Sequence, residues 1–199
     1  MNIKEFNPFY NKDDPYQTHA EFLIRFLTRN KIDKPILELG CGYGTTPIFS
    51  KFCRENGIQL KTMDNNIEWI KKIKEEFPPN EFHTYEQVYN WEYQIDSCIG
   101  TEYSLVFADQ APWEARDYSI RSLMDHSDFL MLHDCDYFPN NNIIGKTLRP
   151  IVNSSNTGLR DYSELGCNYR EYFPTHFAGP TGPPVLFMSK KFSCEGYEE

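Results

Sequence analysis

The segment Ile36-Leu37-Glu38-Leu39-Gly40-Cys41-Gly42-Tyr43-Gly44 constrains this chain more than any other. An apolar run that reads as a strand ends in Gly-x-Gly-x-Gly and passes into sequence compatible with a helix. Glycines at such a junction let the backbone turn sharply and let a ligand approach the main chain with no Cβ in the way. The helix that follows offers free N–H groups at its start. The segment therefore predicts a strand–loop–helix unit that cradles a nucleotide-like group at the carboxyl edge of an α/β sheet.

The spacing narrows the ligand. The third glycine comes one residue early for the dinucleotide fingerprint GxGxxG. Glu38 lies inside the strand, just before Gly40, where it could meet a cationic amino group. Asp64 closes the next strand about 20 residues beyond Gly44, where a carboxylate can accept both hydroxyls of a ribose. A purely structural turn would need the glycines but neither acid.

This pattern, ELGCGYG followed by an acid closing the next strand, resembles the first two motifs of the class I S-adenosylmethionine-dependent methyltransferases. The resemblance implies that the loop and its leading acid, Glu38, Gly40, Gly42 and Gly44, contact the methionine part of S-adenosylmethionine. It implies that Asp64 holds the ribose, with Cys41, Asn65 and Asp109 as further cofactor positions. For the adenine, Glu86, Asn90 and Trp91 stay open, and core packing is the alternative for Trp91.

Hydrophobic periodicity extends the unit into an alternating chain. Helices are expected over Glu21–Arg29 (with Thr18 as an N-cap), Thr46–Asn56 (ended by Gly57), Ile67–Phe77 and Trp113–Met124. Strands are expected over Pro35–Leu39, Gln59–Met63, Glu81–Tyr85, Tyr103–Ala108 and Asp128–Leu132, with a terminal pair at Tyr169–Phe173 and Val185–Lys190. The expectation is an α/β, Rossmann-like doubly wound fold. It has a mostly parallel seven-stranded sheet, an antiparallel C-terminal strand and helices on both faces. With 199 residues the chain fits one domain. Residues 1–30 would form a helical lid segment, 35–135 the cofactor-binding core, and 140–199 a substrate-side loop and strand pair.

Ligands of such a sheet gather beyond the carboxyl ends of its strands, which places Asp109, His133 and Asp134 in one cleft. Two chemistries are open there. Asp109 and Asp134 could hold Mg²⁺ or another divalent cation that lowers the pKa of an acceptor hydroxyl. Alternatively, His133 could be the general base. The stretch VFADQAPWEARDYSI…DFLMLHDCDYF resembles the metal-dependent O-methyltransferases of catechol and macrolide-sugar type, although His133 stands where they more often carry a carboxylate. Asp136 is a substitute ligand, and Tyr137 and Phe138 could wall the acceptor. Asp109-Gln110-Ala111-Pro112 lacks the Asn/Asp-Pro-Pro-Tyr signature of N-methylation. His83 and His126 read as surface positions, His19 as a surface position with contact to cofactor or substrate as the alternative, and His176 as part of a lid.

Composition removes several function classes. The net charge of -9 argues against a nucleic-acid partner. Six scattered cysteines without metal spacing fit neither a disulfide framework nor a zinc site, so a reducing, cytoplasmic compartment is expected. No stretch has the length of a membrane span. The reading reached is methyl transfer from S-adenosylmethionine to a hydroxyl of a small molecule or sugar, with homodimerisation left open. The alternatives are a methyltransferase of RNA or protein, a non-catalytic cofactor-binding subunit, and a nicotinamide-dependent oxidoreductase.

Overall fold

The computed structural model describes residues 2–135, 165–172, 174 and 183–197. Asp136, Tyr137, Phe138, His176 and most of the expected substrate-side loop lie outside the described residues. The elements are α1 (Ile3–Phe6), α2 (Ala20–Arg29), β1 (Ile36–Leu39), α3 (Thr46–Asn56), β2 (Leu60–Asp64), α4 (Ile67–Glu76) and β3 (His83–Gln87). They continue with α5 (Trp91–Asp96), β4 (Tyr103–Ala108), α6 (Trp113–Leu123), β5 (Ser127–His133), β6 (Asn168–Tyr172) and β7 (Val185–Ser189). The periodicity located each expected element to within a residue or two. It passed over α1 and α5, which are too short to show a helical repeat.

The seven strands form one sheet in the order β3-β2-β1-β4-β5-β7-β6. Strands β1 to β5 are parallel to their neighbours in this core, and β7 is antiparallel to both β5 and β6. This is the expected Rossmann-like arrangement. The chain winds outward from β1 to β3 and then restarts at β4 on the other side of β1. The turning point of the winding therefore lies between the ends of β1 and β4, where such sheets open a crevice.

The side-chain period of two sorts the central strands into two cores. Leu37, Leu39, Val106, Ala108, Leu130, Leu132, Leu186 and Met188 face α5 and α6, where Trp91, Ile95, Ile120 and Leu123 meet them. Ile36, Leu105, Phe107, Phe129, Met131 and Phe187 face α2 and α3, where Phe22, Phe26, Ile48 and Phe49 pack. By this alternation Glu38 and His133 belong to the second face. Both are buried. A buried strand position held by a charged residue needs polar partners.

Gly57 ends α3 with φ at +67°, and its N–H caps the Cys53 carbonyl. A Cβ there would touch only Phe82, at 4.0 Å. The expected cost of Gly57→Ala is therefore the left-handed backbone alone, about 1 kcal/mol, read as a lowered urea midpoint with unchanged slope.

Candidate functional site

The three glycines of the loop serve different purposes. Gly40 has φ at +88°, and a Cβ on it would stand 2.7 Å from the carbonyl of Asp109. Only glycine fits between β1 and the end of β4. A Cβ on Gly44 would lie 2.8 Å from both His19 Nε2 and the Tyr16 carbonyl, so this glycine admits the N-terminal segment. Gly42 has nothing within 4 Å of its Cβ position. Its face is open to a ligand.

Glu38 anchors the loop from below. Its Oε1 accepts hydrogen bonds from Thr45 Oγ1 at 2.5 Å and Thr46 Oγ1 at 2.9 Å, and its Oε2 accepts one from Thr62 Oγ1 at 2.6 Å. Thr62, having given its proton to Glu38, must accept from His83, which lies 2.9 Å away through Nε2. His83 is thus the Nε2–H tautomer and is buried, which corrects its expected place on the surface. Burial, with a smaller contribution from Lys74, lowers its pKa to about 4. Burial pushes the Glu38 carboxyl up to about 7, against the pull of the three hydroxyls. The threonines were invisible as site residues in the sequence, although Thr45 and Thr46 directly follow Gly44.

Asp64 is braced by the same loop. Its Oδ2 accepts from the Cys41 N–H at 3.0 Å and its Oδ1 from the Asn66 N–H at 2.7 Å. The Cys41 carbonyl accepts from Trp69 Nε1 at 2.6 Å. Asn65 is exposed. The three residues offered for adenine have other work: Glu86 pairs with Lys61 at 2.6 Å, Asn90 caps α5, and Trp91 is buried with its Nε1 on the Ala111 carbonyl at 2.8 Å.

The N-terminal segment lies across the loop. Asn7 Nδ2 donates to the Tyr43 carbonyl at 2.7 Å, and the Phe9 and Tyr43 rings are 5.1 Å apart. Between this strap and the loop is a cavity of about 360 Å³, whose walls include Gln17, His19, Gly42, Gly44, Trp69 and Asp109. His19 is 3% exposed, which corrects its expected surface position. Neither of its ring nitrogens has a hydrogen-bond partner among the described residues. Burial, followed by the charge of His133, holds its pKa well below the ordinary histidine range, with Asp109 opposing. Thr18 does not cap α2; His19 occupies that position without a side-chain hydrogen bond.

Asp109, His133 and Asp134 do converge, with a residue that the sequence did not single out. Arg116 reaches from α6 to place Nη2 3.0 Å from Asp109 Oδ1 and Nη1 3.4 Å from Asp134 Oδ2. The same guanidinium donates to the carbonyls of Gln110 at 2.7 Å, His133 at 2.9 Å and Asp109 at 3.1 Å. His133 Nδ1 stands 3.3 Å from Asp109 Oδ2, close enough for an ion pair but not aligned as a hydrogen bond. Its Nε2 meets Thr18 Oγ1 at 3.2 Å. Thr18 gives its proton to a carbonyl, that of Pro183 at 2.8 Å or Pro15 at 3.3 Å, so Nε2–H of His133 is the donor to Thr18. Burial would lower the His133 pKa, but Asp134 and Asp109 outweigh it and raise it. Burial would raise that of Asp109, but His133 and Arg116 outweigh it and hold the carboxyl well below its usual range.

These contacts bear on the two expected chemistries. One ligand atom each from Asp109, His133 and Asp134 lie within 4.8 Å of one another, as a metal site requires. The space between the carboxylates, however, is bridged by a guanidinium fixed to three backbone carbonyls. As arranged, the group does not fit a divalent cation. His133 has its Nε2 hydrogen-bonded to Thr18 and its Nδ1 3.3 Å from the Asp109 carboxylate. Among the described residues, His19 lines the cavity with no hydrogen-bond partner on either ring nitrogen.

No family model and no curated protein matches the chain in sequence. Solved structures do resemble it. A provisionally named O-methyltransferase from Klebsiella pneumoniae superposes with a TM-score of 0.60 at 15% identity, covering 94% of this chain and 84% of that one. A provisionally named caffeoyl-CoA O-methyltransferase from Staphylococcus aureus gives 0.57 at 18% identity, over 94% and 88%. An rRNA methylase from Streptococcus thermophilus gives 0.52 at 12% identity, over 89% and 96%. The fold is that of the Rossmann-like methyltransferases, and these relatives differ in what their names say they act on. Among the described residues, no helix is long and apolar enough to cross a membrane.

Glu38 yields a pH test. A carboxyl whose folded pKa lies above its unfolded value stabilises the fold below the unfolded pKa and loses that contribution as pH rises to the folded one. Between about pH 4.5 and 7, the wild type should therefore lose stability relative to Glu38→Gln. Parallel urea curves of the two proteins across that window would contradict the buried carboxyl network.

Proposed function

We propose that this chain is an S-adenosylmethionine-dependent methyltransferase acting on a hydroxyl of a small molecule or sugar. The observation that carries the reading is the cavity between the glycine loop and the strap. It sits at the turning point of the winding, with the bare face of Gly42 open and the acids Glu38 and Asp64 bracing its floor. In this reading the loop holds the methionine part of the cofactor and Asp64 the ribose. Glu38, already tied to three threonines, supplies negative charge beneath the cationic amino group.

Transfer is an in-line displacement. S-adenosylmethionine held by the glycine loop, Glu38 and Asp64 would supply a methyl group on a sulfonium sulfur, and the sulfur would keep the electron pair of the carbon–sulfur bond as the acceptor oxygen took the methyl. The positive charge of the sulfonium is thereby cancelled. Here the protein contributes alignment and a place for the hydroxyl proton. His19 is the group we assign to receive it: burial and His133 hold its pKa low, none of the described residues hydrogen-bonds to its ring, and it lines the cavity. His133 and Asp134 act through Asp109, whose carboxylate also lines the cavity and stays ionised to orient the acceptor.

An RNA or protein acceptor is the second reading, and the rRNA methylases among the structural relatives favour it. Charge opposes the RNA form. Lys34, Lys61, Lys71, Lys190 and Lys191 each pair with an acid, so among the described residues these basic groups are interleaved with acidic ones.

Calorimetry with S-adenosylhomocysteine and, separately, NAD tests the cofactor: the first should bind and the second should not. Asp64→Asn should weaken S-adenosylhomocysteine by roughly 2 kcal/mol through lost charge-assisted hydrogen bonds. Unchanged affinity would remove the ribose assignment. With an acceptor found by homocysteine-release screening, His19→Phe should lower kcat on the order of a hundredfold and leave S-adenosylhomocysteine affinity nearly unchanged.

A further inference from the structure

Resting on the methyltransferase reading, we infer that Arg116 is the resident cation of the acceptor end, standing where the resemblance to metal-dependent O-methyltransferases implies a divalent metal. Three observations carry this. The guanidinium bridges Asp109 and Asp134 through separate nitrogens, at 3.0 and 3.4 Å. It is only 8% exposed, and it is tied to the carbonyls of Asp109, Gln110 and His133, which join the ends of β4 and β5 to α6. It cannot swing aside for a metal without leaving those buried carbonyls short of a donor.

The third observation is its place on the helix. Arg116 lies near the start of α6, beginning at Trp113, where the helix dipole disfavours a positive charge. The two carboxylates offset that cost, and the placement makes sense for a cation whose partners are Asp109 and Asp134. The guanidinium already sets a positive charge against both carboxylates before any ion arrives.

The cluster therefore excludes divalent cations, and it should become a metal site only when the guanidinium is removed. Mn²⁺ is a direct probe, because its free-ion electron paramagnetic resonance signal disappears on binding to protein. The full wild-type chain is expected to leave that signal unchanged. Arg116→Met keeps the stem but not the charge, and is expected to deplete the signal. Arg116→Lys is expected to leave it intact, and adding Asp109→Asn to Arg116→Met should restore it.

Depletion by the wild type that Asp109→Asn abolishes would overturn the inference. So would a folded Arg116→Met that takes no Mn²⁺. Should that variant fail to fold by circular dichroism, Arg116→Gln replaces it, and the wild-type titration decides on its own. The outcome is separable from the methyltransferase reading. A protein that binds neither Mn²⁺ nor S-adenosylhomocysteine fails the function and keeps the exclusion. One that binds both keeps the function and fails the exclusion.

Discussion

The carboxyl edge of this sheet depends on the missing side chain at Gly40. With a Cβ there at 2.7 Å from the Asp109 carbonyl, β1 and β4 could not end side by side as they do. Because they can, the loop that would hold a cofactor and the residue that opens the acceptor end share one van der Waals contact. Gly44 repeats the device one turn later, admitting His19 and the backbone of Tyr16. Two bare α-carbons thus draw the loop, the end of β4 and the N-terminal strap together, and the third, Gly42, is left facing the space they enclose.

Two acids on neighbouring strands are driven in opposite directions within this arrangement. Glu38 is surrounded by neutral hydroxyls, and burial governs it, so its carboxyl rises to about 7. Asp109 has the Arg116 guanidinium and the His133 ring against it, which hold its carboxyl well below the usual range despite burial. The difference sets their roles. The charge of Glu38 can be completed by a cation that arrives, such as the ammonium of a bound amino acid moiety. Asp109 has its cations built in.

What the sequence disclosed follows the same division. Backbone requirements leave local signatures. The glycines, the strand endings at Asp64, Asp109 and His133, and the stop at Gly57 could therefore be read in order along the chain. The sheet followed from alternation and handed winding. Partners supplied by tertiary contact leave none. Arg116 reads as one more charged residue on an amphipathic helix, and only the proximity of β5 to α6 makes it the centre of the cluster. His19 and His83 were expected on the surface because histidine is polar and often exposed. Each is buried because a neighbouring element covers it: His19 by the closeness of the strap to Gly44, His83 by the threonine–glutamate network beneath β2. Short helices such as α5, set by Asn90 at its cap rather than by periodicity, escape for a related reason.

The hydroxyl of Thr18 shows how far such tertiary control extends. Its one proton goes to a backbone carbonyl, Pro183 being the nearer, and this obliges it to receive a proton from His133 Nε2. Pro183 immediately precedes Pro184 and β7, and Thr18 precedes α2. A single side chain therefore ties the strap, the end of β5 and the approach to β7. The tie fixes which face of His133 carries a hydrogen and turns its other nitrogen toward Asp109. His19, one residue on and with its ring 4.2 Å from that of His133, has its pKa lowered first by burial and then by the charge of His133. The surroundings thus drive the pKa values of the two imidazoles in opposite directions. One is spent on structure, and the other keeps a lone pair for the cavity.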